Sequence, residues 1–160
     1  MTSPAWRDLR GQLPGSETYQ RRKLTDVRYL VIHHTAVDVD NTAEEIARYH
    51  VQQLGWPGIG YHFVVHPDGG IDYVGDISTV RYNVAKRNQE CIGICLTGDF
   101  SNHWPSEEQL RSARSVIHAM RLFVPMASVV GHRDIAVPGW ETSCPGETWH
   151  EWRNLVEATP

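Results

Sequence analysis

The sequence predicts a mixed α/β domain, in which one central mixed β-sheet is covered by about three α-helices. Short runs of apolar and β-branched residues alternate along the chain with longer segments whose apolar residues recur every three or four positions. Such interleaving of strand and helix patterns is typical of a sheet with helices on its faces. The length of 160 residues and the 41% hydrophobic content suit one domain with a single core.

The first half of the chain predicts three strands and one helix. Residues 1–26 have little pattern and are expected to pack on the domain surface through Trp6, Leu9, Leu13 and Tyr19. A capping-box pattern at 42–45 predicts a helix that runs to about Leu54. Apolar segments predict strands at 27–34, 61–66 and 71–74. The first of these is apolar on both faces, which indicates a central strand covered on two sides.

The second half predicts two strands and two helices after an irregular loop at 75–90. The strands are expected at 91–97 and 128–130. Ser106 begins a long helix, whose apolar face consists of Leu110, Ala113, Ile117, Met120 and Val124. The last helix is expected from about Glu147 to Glu157.

Composition excludes several classes of function. The net charge of −4 argues against a nucleic-acid binder or a cationic membrane-surface protein. The first 15 residues contain no apolar core of a signal peptide, and no segment approaches the roughly 20 apolar residues that span a bilayer. We therefore expect synthesis in the cytoplasm and no membrane insertion.

The three cysteines do not form a disulfide pattern. Cys91 and Cys95 lie in one predicted strand, where their Cα atoms would be about 13 Å apart, beyond the reach of a disulfide. Cys144 then stands alone.

Three side chains are candidate metal ligands: one histidine of the pair His33 and His34, His132, and Cys144. Each lies at or beyond the end of a predicted strand, where open α/β sheets place their sites. Two imidazoles and a thiolate suit zinc, and three protein ligands leave a fourth position for water. The alternative is that these are ordinary core residues, because the chain has nine histidines and a lone buried cysteine is usually inert.

Cys144 has a second feature. It precedes Pro145, a residue favoured at the first position of a helix, so Cys144 is expected at the N-cap of the last helix. There the positive end of the helix would stabilise a thiolate.

Five segments in order make the chain resemble the zinc-dependent N-acetylmuramoyl-L-alanine amidase family, which includes bacteriophage amidase-type lysozymes and animal peptidoglycan recognition proteins. The segments are 31–36 (VIHHTA), 55–65 (GWPGIGYHFVV), 92–98 (IGICLTG), 131–134 (GHRD) and 142–146 (TSCPG). The resemblance covers roughly residues 27–150. It implies that residues 1–160 form one catalytic domain of this fold, without a separate cell-wall-binding domain.

The resemblance also assigns roles. It implies that His33, His132 and Cys144 hold one catalytic Zn²⁺, and that Tyr61 is the catalytic tyrosine that stabilises an oxyanion. Thr142 matches a position that faces the reacting centre. From the residues alone, Tyr61 would be an aromatic residue packed at a strand end and Thr142 an ordinary loop residue.

The chain departs from the family in two places. Twelve positions separate His132 from Cys144, more than is usual, and residues 137–141 are the expected insertion. Cys95 stands where some relatives carry a catalytic glutamate, so that strand supplies no carboxylate base.

Several other polar residues have less specific interpretations. Arg133 and Asp134 either orient the ligands or cap a strand, whereas His50 and Trp56 are expected to fix the loop before the second strand. Three residues of the 75–90 loop are candidates for the edge of a substrate groove: Arg81, Asn83 and Arg87.

The resemblance implies a phage or prophage endolysin that cuts the lactyl–L-alanine amide bond of bacterial peptidoglycan. Its partner would be the muramyl peptide of the wall, reached after release from the cytoplasm, and we expect a monomer. One alternative is a module that binds peptidoglycan without cutting it, against which Cys144 and Tyr61 argue. Another is a cytosolic amidase that recycles soluble muropeptides.

Overall fold

A computed structural model describes residues 3–158 of the chain. Its strands are β1 (Trp6–Asp8), β2 (Tyr29–His34), β3 (Phe63–Val65), β4 (Ile71–Tyr73), β5 (Cys91–Leu96) and β6 (Ser128–Gly131). Its α-helices are α1 (Ala43–Gln52), α2 (Glu107–Arg121), α3 (His132–Ile135) and α4 (Trp149–Glu157). All six strands form one mixed sheet in the order β1-β4-β3-β5-β2-β6, which confirms the predicted fold class.

The interior of the sheet is parallel. β2 lies between β5 and β6 and pairs in parallel with both, and β5 also pairs in parallel with β3. Leu30, Val31 and Ile32 of β2 have no exposed surface, so the prediction of a strand covered on two sides is confirmed. Parallel strands end at the same edge of a sheet, and the carboxyl ends of β2 and β6 therefore lie side by side.

Helices cover both faces of the sheet. On one face, α2 and α4 bury the largest side chains of the core, including Trp149 and Trp152, against β2, β3 and β5. On the other face, α1 packs Ile46 and Ala47 against Ile59 and Val64. Apolar faces at helical spacing explain this arrangement, because each helix buries one stripe of side chains on the sheet.

The predicted helix starts of α1 and α2 are confirmed. Thr42 Oγ1 accepts a hydrogen bond from the Glu45 amide at 3.2 Å, and Glu45 Oε2 accepts one from the Thr42 amide at 2.9 Å. Ser106 Oγ accepts from the Gln109 amide at 3.0 Å. Each cap satisfies amides that have no partner within the first helical turn.

The N-terminal segment differs from the prediction. Leu13 and Tyr19 pack on the domain as expected, but β1 adds a parallel edge strand to β4. All three side chains of β1 are exposed, and Trp6 is 45% exposed, so this strand carries no alternation of apolar and polar residues that the sequence could reveal. Within residues 3–158, no helix has the length and apolar character required to cross a bilayer.

Candidate metal centre

Three side chains converge where β2 and β6 end. His33 is the second-to-last residue of β2, and His132 is the first residue of α3, directly after β6. Cys144 lies in the loop between α3 and α4. Their potential ligand atoms all lie within 4.8 Å of one another, and Cys144 Sγ is 3.6 Å from His33 Nδ1. We call His33, His132 and Cys144 the ligand cluster.

The structure decides which of the two neighbouring histidines belongs to the ligand cluster, a choice that the residue pattern alone left open. Successive side chains of a strand point to opposite faces of the sheet, so only one of the pair can join the cluster. His34 lies on the other face, where its Nδ1 accepts a hydrogen bond from the Phe100 amide at 3.3 Å. His33 is therefore the member of the pair that faces His132, with ring centroids 4.8 Å apart.

The ligand cluster consists of neutral groups in the metal-free protein. Burial, together with the proximity of His132, lowers the pKa of His33 well below its usual value, and burial lowers the pKa of His132. Burial also raises the pKa of the Cys144 thiol to about 12 in the metal-free protein. Neutral imidazoles have the free lone pairs that a metal requires, and a coordinated thiol loses its proton to the cation.

The donor atoms of the ligand cluster lie within 4.8 Å of one another, and one pair has the spacing of two tetrahedral zinc ligands. Zinc bonds of about 2.0–2.1 Å to nitrogen and 2.3 Å to sulfur place tetrahedral ligands roughly 3.6 Å apart, and the distance from Cys144 Sγ to His33 Nδ1 is 3.6 Å. Two nitrogens and one sulfur are donors that bind zinc in preference to magnesium or calcium, which favour oxygen ligands.

The prediction that Cys144 is a helix N-cap is wrong. α4 begins at Trp149, and Thr148 is its N-cap. Gly146 has a φ of +113°, a backbone conformation that no helix contains, so residues 144–147 form a turn instead of the first helical turn. The cysteine is held by two backbone contacts: its amide donates to Thr142 Oγ1 at 3.1 Å, and its carbonyl accepts from the Arg133 amide at 2.8 Å.

Of the two residues that follow His132, Asp134 has a capping contact. Asp134 Oδ2 accepts hydrogen bonds from the Gly131 amide and from Trp149 Nε1, both at 2.8 Å, so it caps the junction of β6 and α3. Residues 137–141, the expected insertion, include Trp140, which is 55% exposed. The insertion leaves His132 and Cys144 within the ligand cluster, as the sequence predicted.

Tyr61 lies beside the ligand cluster. Its ring centroid is 5.1 Å from that of His33. Burial and the thiols of Cys95 and Cys144 raise the pKa of Tyr61 well above its usual value, so its hydroxyl keeps its proton at all ordinary pH values. Cys95, next to His33 in the β2–β5 register, has no exposed surface.

A groove of about 400 Å³ adjoins Tyr61 and runs between α1 and the loop that precedes it. Its walls are partly polar and partly apolar, and they include Thr35, Val37, Asn41, Glu45, Tyr49 and His50. The groove therefore adjoins the ligand cluster through Tyr61, which lines the groove and packs beside His33.

His50 fixes the loop between α1 and β3, as predicted. Its Nδ1 accepts a hydrogen bond from the Gly60 amide at 2.9 Å, and its carbonyl accepts from the Trp56 amide at 3.0 Å. The His50 and Tyr61 ring centroids are 5.4 Å apart, so the same histidine also supports the tyrosine.

The expectation that Arg81 and Asn83 edge a groove is wrong. Arg81 is 4% exposed and Asn83 is 9% exposed, because both side chains turn inward to satisfy backbone carbonyls. Sequence reasoning missed the contact that matters at the site: Asn83 Oδ1 lies 3.2 Å from His33 Nε2. The only signal in the sequence was a polar residue in a loop without pattern.

Comparisons with known proteins find related sequences and structures. The sequence profile of the N-acetylmuramoyl-L-alanine amidase family matches residues 23–147. The endolysin of Enterobacteria phage K11 is 27% identical over 84% of this chain and 89% of that protein. Peptidoglycan recognition protein 1 of Bos indicus is 32% identical over 76% of this chain and 67% of that protein. The solved endolysin of Thermus scotoductus bacteriophage Ph2119 is 28% identical with a TM-score of 0.79, over 94% of this chain and 99% of that one.

Proposed function

Since the chain belongs to the N-acetylmuramoyl-L-alanine amidase family, we propose that it is a zinc-dependent hydrolase that cuts the amide bond between the lactyl group of muramic acid and the L-alanine of the stem peptide in bacterial peptidoglycan. The observation that carries the proposal is the convergence of His33, His132 and Cys144 within 4.8 Å beside an open groove. Three protein ligands and a fourth open position are the arrangement of a catalytic zinc site.

His33, His132 and Cys144 would hold the ion. Bound there, zinc would polarise the scissile carbonyl and lower the pKa of a water molecule toward about 7. The ligand cluster lacks a carboxylate, and Cys95 supplies none from β5, so the acid–base groups of this site are few. The neighbouring hydroxyl groups of Tyr61 and Thr142 are therefore the proposed contacts to the reacting amide.

Tyr61 is the proposed catalytic hydroxyl. Its raised pKa keeps the proton on the phenol, which can donate a hydrogen bond to the amide oxygen as negative charge develops. Thr142 is the second proposed contact. Its Oγ1 accepts from the Cys144 amide, which fixes the oxygen and leaves the hydroxyl hydrogen for the substrate.

The groove along α1 is the proposed binding site of the muramyl peptide. Tyr49 and Val37 are 56% and 45% exposed on its walls, and polar groups from Asn41 and Glu45 lie between them. Apolar walls with a few polar groups are typical of sites that bind small amphipathic ligands. The similarity to phage endolysins supports an endolysin that acts on the wall after release from the cytoplasm.

Binding without cleavage is the second candidate, because peptidoglycan recognition protein 1 is among the relatives. The two candidates differ in their products. Purified protein, loaded with one zinc per chain, is incubated with purified sacculi, and the soluble products are analysed by mass spectrometry. Amidase activity is expected to release stem peptides with new L-alanine amino termini, to stop with a chelator and to return with zinc.

Other outcomes would decide against the proposal. New reducing sugar ends would show a glycosidase, and protein that sediments with sacculi without releasing peptide would show a recognition module. Activity on soluble muropeptides alone, with intact sacculi left uncut, would indicate a recycling amidase. The Cys144→Ala variant serves as the control for contaminating hydrolases.

A further inference from the structure

Asn83 is buried against a glycine, whose lack of a side chain leaves space for the asparagine. Its side chain lies over Gly93 of β5, where a Cβ atom would come within 2.8 Å of the Asn83 Cγ. Its backbone amide donates to Asn88 Oδ1 at 2.9 Å, which fixes the loop that carries it. A polar amide that occupies such a position must satisfy its hydrogen-bonding groups within the protein.

The surroundings of Asn83 determine which way its amide faces. The Nδ2 group lies 3.2 Å from the Gly60 carbonyl and 3.3 Å from the Arg81 carbonyl. Both are acceptors only, so the nitrogen must face them. Oδ1 is thereby directed at His33 Nε2, 3.2 Å away.

An amide oxygen accepts and cannot donate, so the hydrogen of this contact must be on His33 Nε2. A neutral imidazole carries one ring hydrogen, and the lone pair is then on Nδ1. Nδ1 is the atom that lies 3.6 Å from Cys144 Sγ. We propose that Asn83 is a positioning residue, which holds the proton of His33 on Nε2 and so presents Nδ1 as the metal ligand.

This inference rests on the proposed zinc site. The positioning role of Asn83 differs from that of a residue that only supports the loop. Hydrogen-bond partners of ligand histidines fix the tautomer and the ring orientation, and their loss typically weakens metal binding by about 10- to 100-fold. A residue that only orders the loop would change stability and leave the tautomer unchanged. The two roles are therefore separable by measurement.

The first test uses the unmodified full-length protein. Long-range ¹H–¹⁵N correlation spectra of ¹⁵N-histidine protein report which ring nitrogen of His33 carries hydrogen, before and after zinc is added. We expect hydrogen on Nε2 in both states. Hydrogen on Nδ1 in the metal-free protein would overturn the proposal, and this result does not depend on any variant folding.

The second test compares Asn83→Ala with a matched loop variant, Asn88→Ala. Asn88 supports the same loop by accepting from the Asn83 and Val84 amides but does not touch His33. Competition with a chromophoric chelator should show zinc binding about 10- to 100-fold weaker for Asn83→Ala, and a smaller change for Asn88→Ala. Equal weakening in both, or none in Asn83→Ala, would overturn the inference. Failure of the wild-type protein to bind zinc would instead overturn the proposed function.

Discussion

The environment of histidine differs between the ligand cluster and a second group of polar side chains, which is centred on the buried Asp72 of the same sheet. The second group, which we call the ionic cluster, consists of His66, Asp72, Asp40 and Arg7. His66 donates through Nδ1 to Asp40 Oδ1 at 2.7 Å and through Nε2 to Asp72 Oδ2 at 2.8 Å. Arg7 donates two further hydrogen bonds to the Asp72 carboxylate, at 2.7 and 2.9 Å.

The partners of each histidine explain the difference. Burial opposes charge at His66, but the hydrogen bonds with Asp72 and Asp40 outweigh it and raise the pKa of His66. In the same way, His66 and Arg7 lower the pKa of Asp72 against the effect of burial. A histidine bonded to carboxylates through both nitrogens has no lone pair for a metal. In the ligand cluster, only Nε2 of His33 faces an acceptor, Asn83 Oδ1, so Nδ1 keeps a lone pair that a metal can use.

The largest expected effect comes from removing a side chain of the ligand cluster. Cys144→Ala and His132→Ala should reduce bound zinc from one ion per chain to nearly none and abolish hydrolysis, because two donors cannot complete the site. Zinc is measured by plasma mass spectrometry and hydrolysis by peptide release. His34→Asn is the matched control, since its amide oxygen can still accept from the Phe100 amide. A cluster variant with full turnover would refute the ligand assignment.

The next largest effect tests the ionic cluster. Asp72 has no exposed surface, and Asp72→Ala would leave His66 and Arg7 without their shared counter-ion. Removing one partner of a fully buried ion pair costs about 3–5 kcal/mol of unfolding free energy. Because Arg7 is 61% exposed and His66 keeps its contact with Asp40, we expect a loss at the lower end of that range, measurable by urea titration. The control Asp8→Ala removes an exposed carboxylate of β1, whose partner is Arg10, and should change stability little. Equal effects of the two variants would show that burial of the carboxylate is unimportant.

Tyr61→Phe sharpens the comparison within the ligand cluster, since it removes one neutral hydroxyl and no ligand. Loss of an oxyanion donor typically lowers kcat by about 10²–10³-fold, and bound zinc should stay at one ion per chain. Tyr73→Phe is the control, because that ring stacks on Phe63 at 4.8 Å in the hairpin formed by β3 and β4. Unchanged kinetics for Tyr61→Phe would remove the tyrosine from the proposed mechanism.

The two clusters also show what the sequence could predict. β2 and β5 were predictable because both are continuous apolar runs, and Thr42 and Ser106 are helix caps whose signal lies within four residues. The members of the ligand cluster could be named because strand ends and residue chemistry indicate a site locally, and the resemblance chose His33 over His34.

Features that depend on distant segments were missed for a physical reason. The ionic cluster joins Arg7, Asp40, His66 and Asp72, which come from four separate segments, and no local pattern connects them. The turn at Gly146 displaced the start of α4 because its φ of +113° is a property of the folded backbone. The role of Asn83 likewise follows from carbonyl groups that only the tertiary structure brings near it.

The smallest expected effect is a pair of opposite pH dependences in the metal-free protein. The pKa of His66 is raised above its unfolded value of about 6.5, so its stabilising contribution is complete below that pH and is lost as the pH rises through the folded pKa. Near the ligand cluster, burial lowers the pKa of His50 to about 4. Between pH 6.5 and 4 the unfolded chain therefore binds a proton that the folded chain does not, which costs about 1.4 kcal/mol per pH unit.

Urea unfolding of wild type, His66→Gln and His50→Gln from pH 5 to pH 9 measures both effects. The stability advantage of wild type over His66→Gln should have its full value from pH 5 to pH 6 and shrink toward pH 9, whereas its advantage over His50→Gln should shrink as the pH falls below 6.5. Opposite slopes would confirm that carboxylate partners, and not burial as such, set the charge of a histidine in this fold. Parallel profiles for the two variants would contradict the comparison, because burial is common to both residues.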